Sequence, residues 1–201
     1  MRFCVLFVKA MARSPAASVA MRGQLLTMQS QKQYLINMNV LHLGDETLRQ
    51  KAVPVEEINE EIRALITDMF ETMEREDGVG LAAPQVGRLI RLFVVKADDG
   101  IERAFVNPQI IATSQETCVY EEGCLSIPKY YEDVVRPERV TVQARNEKGR
   151  RFTLEATGFL ARVIQHEYDH LDGILFIDRI APDIKAKIEQ KFLKKTEKKD
   201  A

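Results

Sequence analysis

The chain has 201 residues, 45 % of them hydrophobic and 29 % charged, with a formal net charge of −1. That length suits one domain with a substantial core. The balance supplies no basic excess to argue for DNA or another nucleic acid, and no apolar run reaches the length of a membrane span.

In chain order, residues 1–37 stand apart. They carry Arg2, Lys9, Arg13, Arg22 and Lys32 and no acid, so the other 164 residues hold the remaining 24 of 29 basic side chains and all 30 acidic ones. "MRFCVLFVKA" has a short apolar stretch, but Lys9 ends it before it reaches signal-peptide length. The plain reading is an N-terminal extension, 1–37, outside the folded domain, with Met38 as the functional start. The same acid-free composition also reads as an organelle transit peptide. Three cysteines, Cys4, Cys118 and Cys124, cannot all pair and show no disulfide spacing, which suits a reducing compartment.

From Asn59 to Asp77, the residues Ile62, Leu65, Ile66, Met69, Phe70 and Met73 recur at helical spacing. Asn59 suits the N-cap, Glu60 and Glu61 favour the positive end, and Gly78 suits the stop. A glycine-rich turn, "GVGLAAPQVG" (78–87), follows. Strand-like runs come next at 89–97, 101–106, 140–145 and 151–156, separated by Asp98-Asp99-Gly100, Asn107-Pro108 and Asn146-Glu147-Lys148-Gly149.

"TGFLARVIQHEYDHLDG" reads as a second helix, capped by Thr157 and closed by Gly173. A last, polar helix spans 182–195, with Ile184, Ile188, Phe192 and Leu193 along one side. Strand runs joined by hairpin-length turns predict an α+β fold with antiparallel sheets packed around the 157–173 helix, plus the C-terminal polar helix. Residues 38–201 form a single domain in this reading.

Within the second helix, His166 and His170 lie four residues apart, one above the other on the same face, so both can direct a ring nitrogen at one cation. Glu167 sits on the flank of that face, where a carboxylate can handle protons for a metal-bound water. A third ligand is then required, and the only other histidine is His42. Two readings are open. Glu189, on the polar helix nineteen residues after His170, has the spacing of a zinc endopeptidase ligand. Cys124 in "YEEGCLSIP" follows Gly123 in what reads as a tight, glycine-allowed bend, and a thiolate is a strong ligand for a borderline or soft divalent ion.

"GVGLAAPQVG" (78–87), "EGCLSIP" (122–128) and "QHEYDH" (165–170), in this order, resemble the three signature segments of the peptide deformylases. The resemblance runs from about Met38 to the end of the polar helix and leaves residues 1–37 without a counterpart. It implies a metallohydrolase that removes the formyl group, as formate, from N-terminal N-formyl-methionine of nascent polypeptides, by attack of a metal-bound water on the formyl carbon. The implied ligands are Cys124, His166 and His170, with water or hydroxide in the fourth position. Glu167 is implied as the proton carrier. Gln85 and the backbone N–H of Leu125 are implied as donors to the formyl oxygen.

On this reading the backbone at Gly80 lies open for an extended peptide, and Val79, Leu125, Phe159 and Val163 are candidates for the methionine pocket. The resemblance implies Fe2+ as the native ion, with Zn2+ or Ni2+ able to substitute. It also implies docking near the ribosomal exit tunnel through the Lys-rich C-terminal helix, and a bacterial cytoplasmic location unless residues 1–37 direct the chain to an organelle.

Overall fold

The computed structural model describes residues 38–197 of the chain. The N-terminal extension read from the sequence therefore lies outside the described residues. Helix α1 spans Glu60–Arg75, and Asn59 caps it by accepting the Ile62 N–H at 3.0 Å. The helix closes through Asp77, which takes a left-handed conformation (φ 55°), and the Gly78 N–H then reaches back to the Met73 carbonyl at 2.8 Å.

Seven strands follow: β1 (Gly80–Ala82), β2 (Leu92–Lys96), β3 (Glu102–Thr113), β4 (Thr117–Cys124), β5 (Ile127–Pro137), β6 (Arg139–Arg145) and β7 (Arg151–Thr157). Helices α2 (Gly158–Leu171) and α3 (Pro182–Glu197) complete the order. Among the described residues, β1-β2-β3-β6-β7 form one antiparallel sheet and β4-β5 a separate antiparallel pair.

The large sheet is covered on both faces, and β2 shows why its sequence is apolar without alternation. Side chains alternate across a strand. Leu92 and Val94 pack with Ile62, Leu65, Met69 and Met73 of α1. Phe93 and Val95 pack on the opposite side with Ala161, Val163, Ile164 and Leu171 of α2. Phe93 stacks on Phe105, ring centroids 4.7 Å apart, and both are fully buried. Each such side chain removed from water is worth about 1.5–3 kcal/mol. A third cluster joins Ile127 and Val134 of β5 to Leu43, Leu48, Leu175, Phe176, Ile177 and Ile188 of α3.

The β4–β5 pair departs from the sequence reading, which assigned no strands between 107 and 139. Gly123 does not form a bend. It lies inside β4 opposite Tyr131, and a Cβ there would stand 2.6 Å from the Tyr131 ring, so glycine makes room for an aromatic laid across the strand. The turn comes two residues later, at Leu125-Ser126. Thr157, read as a side-chain cap, is instead the last residue of β7, paired with Arg139, and its hydroxyl makes no capping bond. Gly173 is left-handed (φ 71°), and a Cβ there would come within 2.5 Å of the Arg49 carbonyl oxygen.

Candidate metal centre

Helix α2 carries His166 and His170 one turn apart, with ring centroids separated by 5.1 Å. The C-terminal end of β4 brings Cys124 to them across the chain. Its Sγ lies 3.3 Å from His170 Nε2, and one ligand atom from each of the three residues lies within 4.8 Å of the others. Sulfur and nitrogen atoms on a common tetrahedral ion stand about 3.4–3.6 Å apart, from bond lengths near 2.3 and 2.1 Å. The donor set therefore fits a single divalent cation, and with three protein atoms it leaves room for a fourth, exchangeable ligand. Glu189, the alternative third ligand, does not join this group. It lies on α3 beside Lys185 and Arg49, at 3.8 and 3.7 Å.

The ring of His166 is held from behind. Glu122 Oε2 lies 2.9 Å from His166 Nδ1 and accepts a hydrogen bond from its N–H, so that Nε2 presents a lone pair to the cation side. Glu122 is only 5 % exposed, and a buried carboxylate requires paired charge. Arg136 donates to both of its oxygens at 2.6 and 2.9 Å, and Arg162 donates to Oε1 at 2.9 Å. Arg136 also reaches Asp169 of α2 at 2.7 Å, which in turn accepts from Arg179. Burial alone would raise the Glu122 carboxyl, but the hydrogen bonds from Arg136 and His166 outweigh it and hold the group well below the usual carboxylate range.

Sequence reasoning did not assign Glu122 a role. The available signal was its place two residues before Cys124, which on a strand puts both side chains on one face. Burial, with the neighbouring His166, holds His170 well below the ordinary histidine range, in the neutral form that a ligand requires.

Glu167 is 4 % exposed, and burial pushes its carboxyl up to about 7. Its Oε2 and the Nδ1 of His170 are both buried with no hydrogen-bond partner among the described residues. Against Glu167 lies Gly80 of β1, where a Cβ would stand 2.4 Å from Oε1.

Gln85 sits in a 3-10 turn, Ala83–Val86, directly after β1, and is 1 % exposed. Its Oε1 accepts the Ala82 N–H at 2.8 Å, which directs Nε2 toward Cys124 Sγ at 3.5 Å and Ser126 Oγ at 3.2 Å.

These groups share a cavity of 670 Å³. His166, Glu167, Cys124 and Gln85 form its polar wall, and Val79, Gly80, Leu125, Phe159 and Val163 all line it. Strand β1 is the edge of the large sheet, paired with β2 on one side only, and its other side faces this space through Gly80.

The chain is similar to known proteins over most of its length. Residues 37–186 match the family model described as polypeptide deformylase. A peptide deformylase of Treponema pallidum is 57 % identical over 143 residues, covering 71 % of this chain and 88 % of its own. One from Pseudothermotoga lettingae is 49 % identical over 151 residues, covering 75 % and 87 %. Among solved structures, a peptide deformylase of Synechococcus elongatus in complex with actinonin superposes with a TM-score of 0.72 at 44 % identity, over 75 % of this chain and 82 % of that one. A peptide deformylase of Legionella pneumophila does so with a TM-score of 0.74 at 42 % identity, over 81 % and 96 %.

Proposed function

The chain belongs to the polypeptide deformylase family, and from that premise we propose how its own residues carry the family's reaction. It is a metal-dependent hydrolase that removes the formyl group, as formate, from N-formyl-methionine at the start of peptides.

Cys124, His166 and His170 would hold the ion, and the single observation that carries this reading is the convergence of their ligand atoms within 4.8 Å. Bound there, a divalent ion lowers the pKa of a water toward neutrality and polarises a carbonyl oxygen. Glu167 takes a proton from the attacking water at its free Oε2 and delivers it to the departing methionine nitrogen. Its raised pKa, about 7, suits a group that must both accept and donate near neutral pH.

Gln85 Nε2 and the Leu125 backbone N–H donate to the formyl oxygen as it gains charge. One such donor is typically worth about 2.7–4 kcal/mol of barrier. The peptide lies extended along the open edge of β1 and bonds to the backbone at Gly80, as strand addition requires. The methionine side chain fills the apolar part of the cavity at Val79, Leu125, Phe159 and Val163.

On the family resemblance we assign Fe2+ as the native ion, against the affinity order, which favours Zn2+. One thiolate with two imidazoles also suits Zn2+ and Ni2+, and both should substitute. Residues 38–201 form the catalytic domain, and 1–37 are an extension to it, a division supported by the start of the family match at residue 37. The Lys-rich C-terminal helix, through Lys185, Lys187, Lys191 and Lys194, would dock near the ribosomal exit tunnel, a contact that would be salt-sensitive. Among the described residues no helix is long and apolar enough to cross a membrane. The bacterial relatives support a place in the bacterial cytoplasm, and a transit role for 1–37 would move it to an organelle.

Formate release from formyl-Met-Ala-Ser, measured on anaerobically purified protein with its metal content, tests the reading. Turnover that disappears in Glu167→Gln, with the metal retained, is the expected result. A metal-loaded wild-type protein that releases no formate would refute it.

A further inference from the structure

Ser126 is fully buried, at 0 % exposure, in the turn between β4 and β5. A hydroxyl so placed requires a partner, and Gln85 Nε2 donates to its Oγ at 3.2 Å. Both residues are fixed through their backbones by one segment, residues 41–43. The Leu41 N–H donates to the Gln85 carbonyl at 2.7 Å, and the Leu43 N–H donates to the Ser126 carbonyl at 2.9 Å.

The consequence lies in the geometry of a primary amide. Its two N–H bonds are coplanar with the carbonyl and point in divergent directions. The Gln85 oxygen is already engaged by the Ala82 N–H at 2.8 Å, which decides which end of the amide faces the cavity. That bond alone leaves the plane free to rock about the last side-chain torsion. A second anchor on Nε2 removes this freedom. With one hydrogen on Ser126 Oγ, the other is turned toward the Cys124 side of the cavity, where Nε2 already lies 3.5 Å from Sγ.

We propose that Ser126 is a positioning residue, whose hydroxyl holds the Gln85 amide so that its second N–H is aimed at the formyl oxygen. The proposal rests on the role given above to Gln85. A donor orientated in advance stabilises developing charge without reorganisation during the reaction. The effect therefore belongs to the transition state, and kcat should carry it while KM stays nearly constant.

The test is a double-mutant cycle on formate release from formyl-Met-Ala-Ser, with metal content and thermal stability recorded for every protein. Ser126→Ala should lower kcat about three- to tenfold, the scale of one lost hydrogen bond, with KM within about twofold. In a Gln85→Leu background the same substitution should cost less than about twofold, because the amide it served is gone. Ser126→Cys, close in size but with a weakly accepting sulfur, serves if the alanine variant is unstable, and its kcat should also fall.

Equal losses from Ser126→Ala with and without Gln85 would overturn the proposal, leaving Ser126 as packing. Full kcat in the cysteine variant would overturn it as well. A Gln85→Leu protein with normal kcat would remove both the proposal and the role of Gln85. Absence of formate release from the wild-type enzyme would instead count against the function itself.

Discussion

Gly80 shows how one missing side chain sets the position of the carboxylate we propose as proton carrier. A Cβ there would fall 2.4 Å from Glu167 Oε1 and 2.8 Å from its Cδ and Cγ, so the Glu167 side chain must shift to admit it. Gly80→Ala should therefore displace the carboxylate while leaving the ligand atoms in place. Misplacement of a reacting group on the ångström scale costs on the order of 100-fold in rate. Steady-state kinetics on metal-matched protein should show that loss in kcat, and a kcat within about twofold of wild type would contradict the assignment of Glu167. His166, Glu167 and His170 were legible in the sequence because helical spacing is a local property. The hold of Glu122 on His166 was not, because it joins residues 44 positions apart and exists only once β4 lies against α2. The same holds for Gly123, which reads as a turn residue until the Tyr131 ring is seen lying across it.

Among the elements, all three α-helices were legible from period and punctuation, and Asn59 caps α1 as its sequence suggests. In the large sheet β2 was legible from its apolar run and β6 and β7 from alternation, whereas β1 was not: its three buried residues lie inside what reads as a glycine-rich turn. The β4–β5 pair was not. Val119, Tyr131 and Val135 are each about 60 % exposed, while Glu122 and Arg136 point inward, so the usual contrast of apolar inside and polar outside is reversed along much of the pair. Pro128 and Pro137 further weaken a strand reading.

The C-terminal helix α3 offers a test of how it is held. Asp178 accepts from Lys185 of α3 at 2.7 Å and from the Leu175 N–H at 2.7 Å, and it also pairs with Arg49. Burial would raise the Asp178 carboxyl, but these bonds outweigh burial and hold it below its ordinary value of 3.8. A depressed carboxyl contributes stability above its unfolded pKa, about 3.9, and loses it as pH falls through the folded value. Asp178→Asn should therefore cost about 0.5–1 kcal/mol at pH 7, near the top of the range for partly solvated pairs. The difference from wild type should shrink as pH falls below the unfolded value and vanish once pH lies below the depressed folded value, in denaturant titrations. A difference independent of pH would show that the charge is not what holds α3.

Across the whole molecule, the α+β class and antiparallel pairing follow from short strand runs joined by tight turns, and the sheet held between α1 and α2 agrees. The site lies where three separate layers meet: the edge strand β1 with its following turn, the end of β4, and the middle of α2. No single stretch of sequence contains it. The separation of a deformylase from a zinc endopeptidase rests on the third ligand, and spacing alone leaves Glu189 and Cys124 side by side. Tertiary structure separates them, since Glu189 pairs with Arg49 and Lys185 on α3 while Cys124 faces both imidazoles.

X-ray absorption at the zinc edge of zinc-substituted enzyme addresses that convergence most directly. One sulfur neighbour at about 2.3 Å, two imidazole nitrogens at about 2.0–2.1 Å and one further light atom are expected, with the sulfur shell absent in Cys124→Ser. A spectrum without sulfur in the wild-type enzyme, or with four protein atoms closing the coordination sphere, would contradict the account.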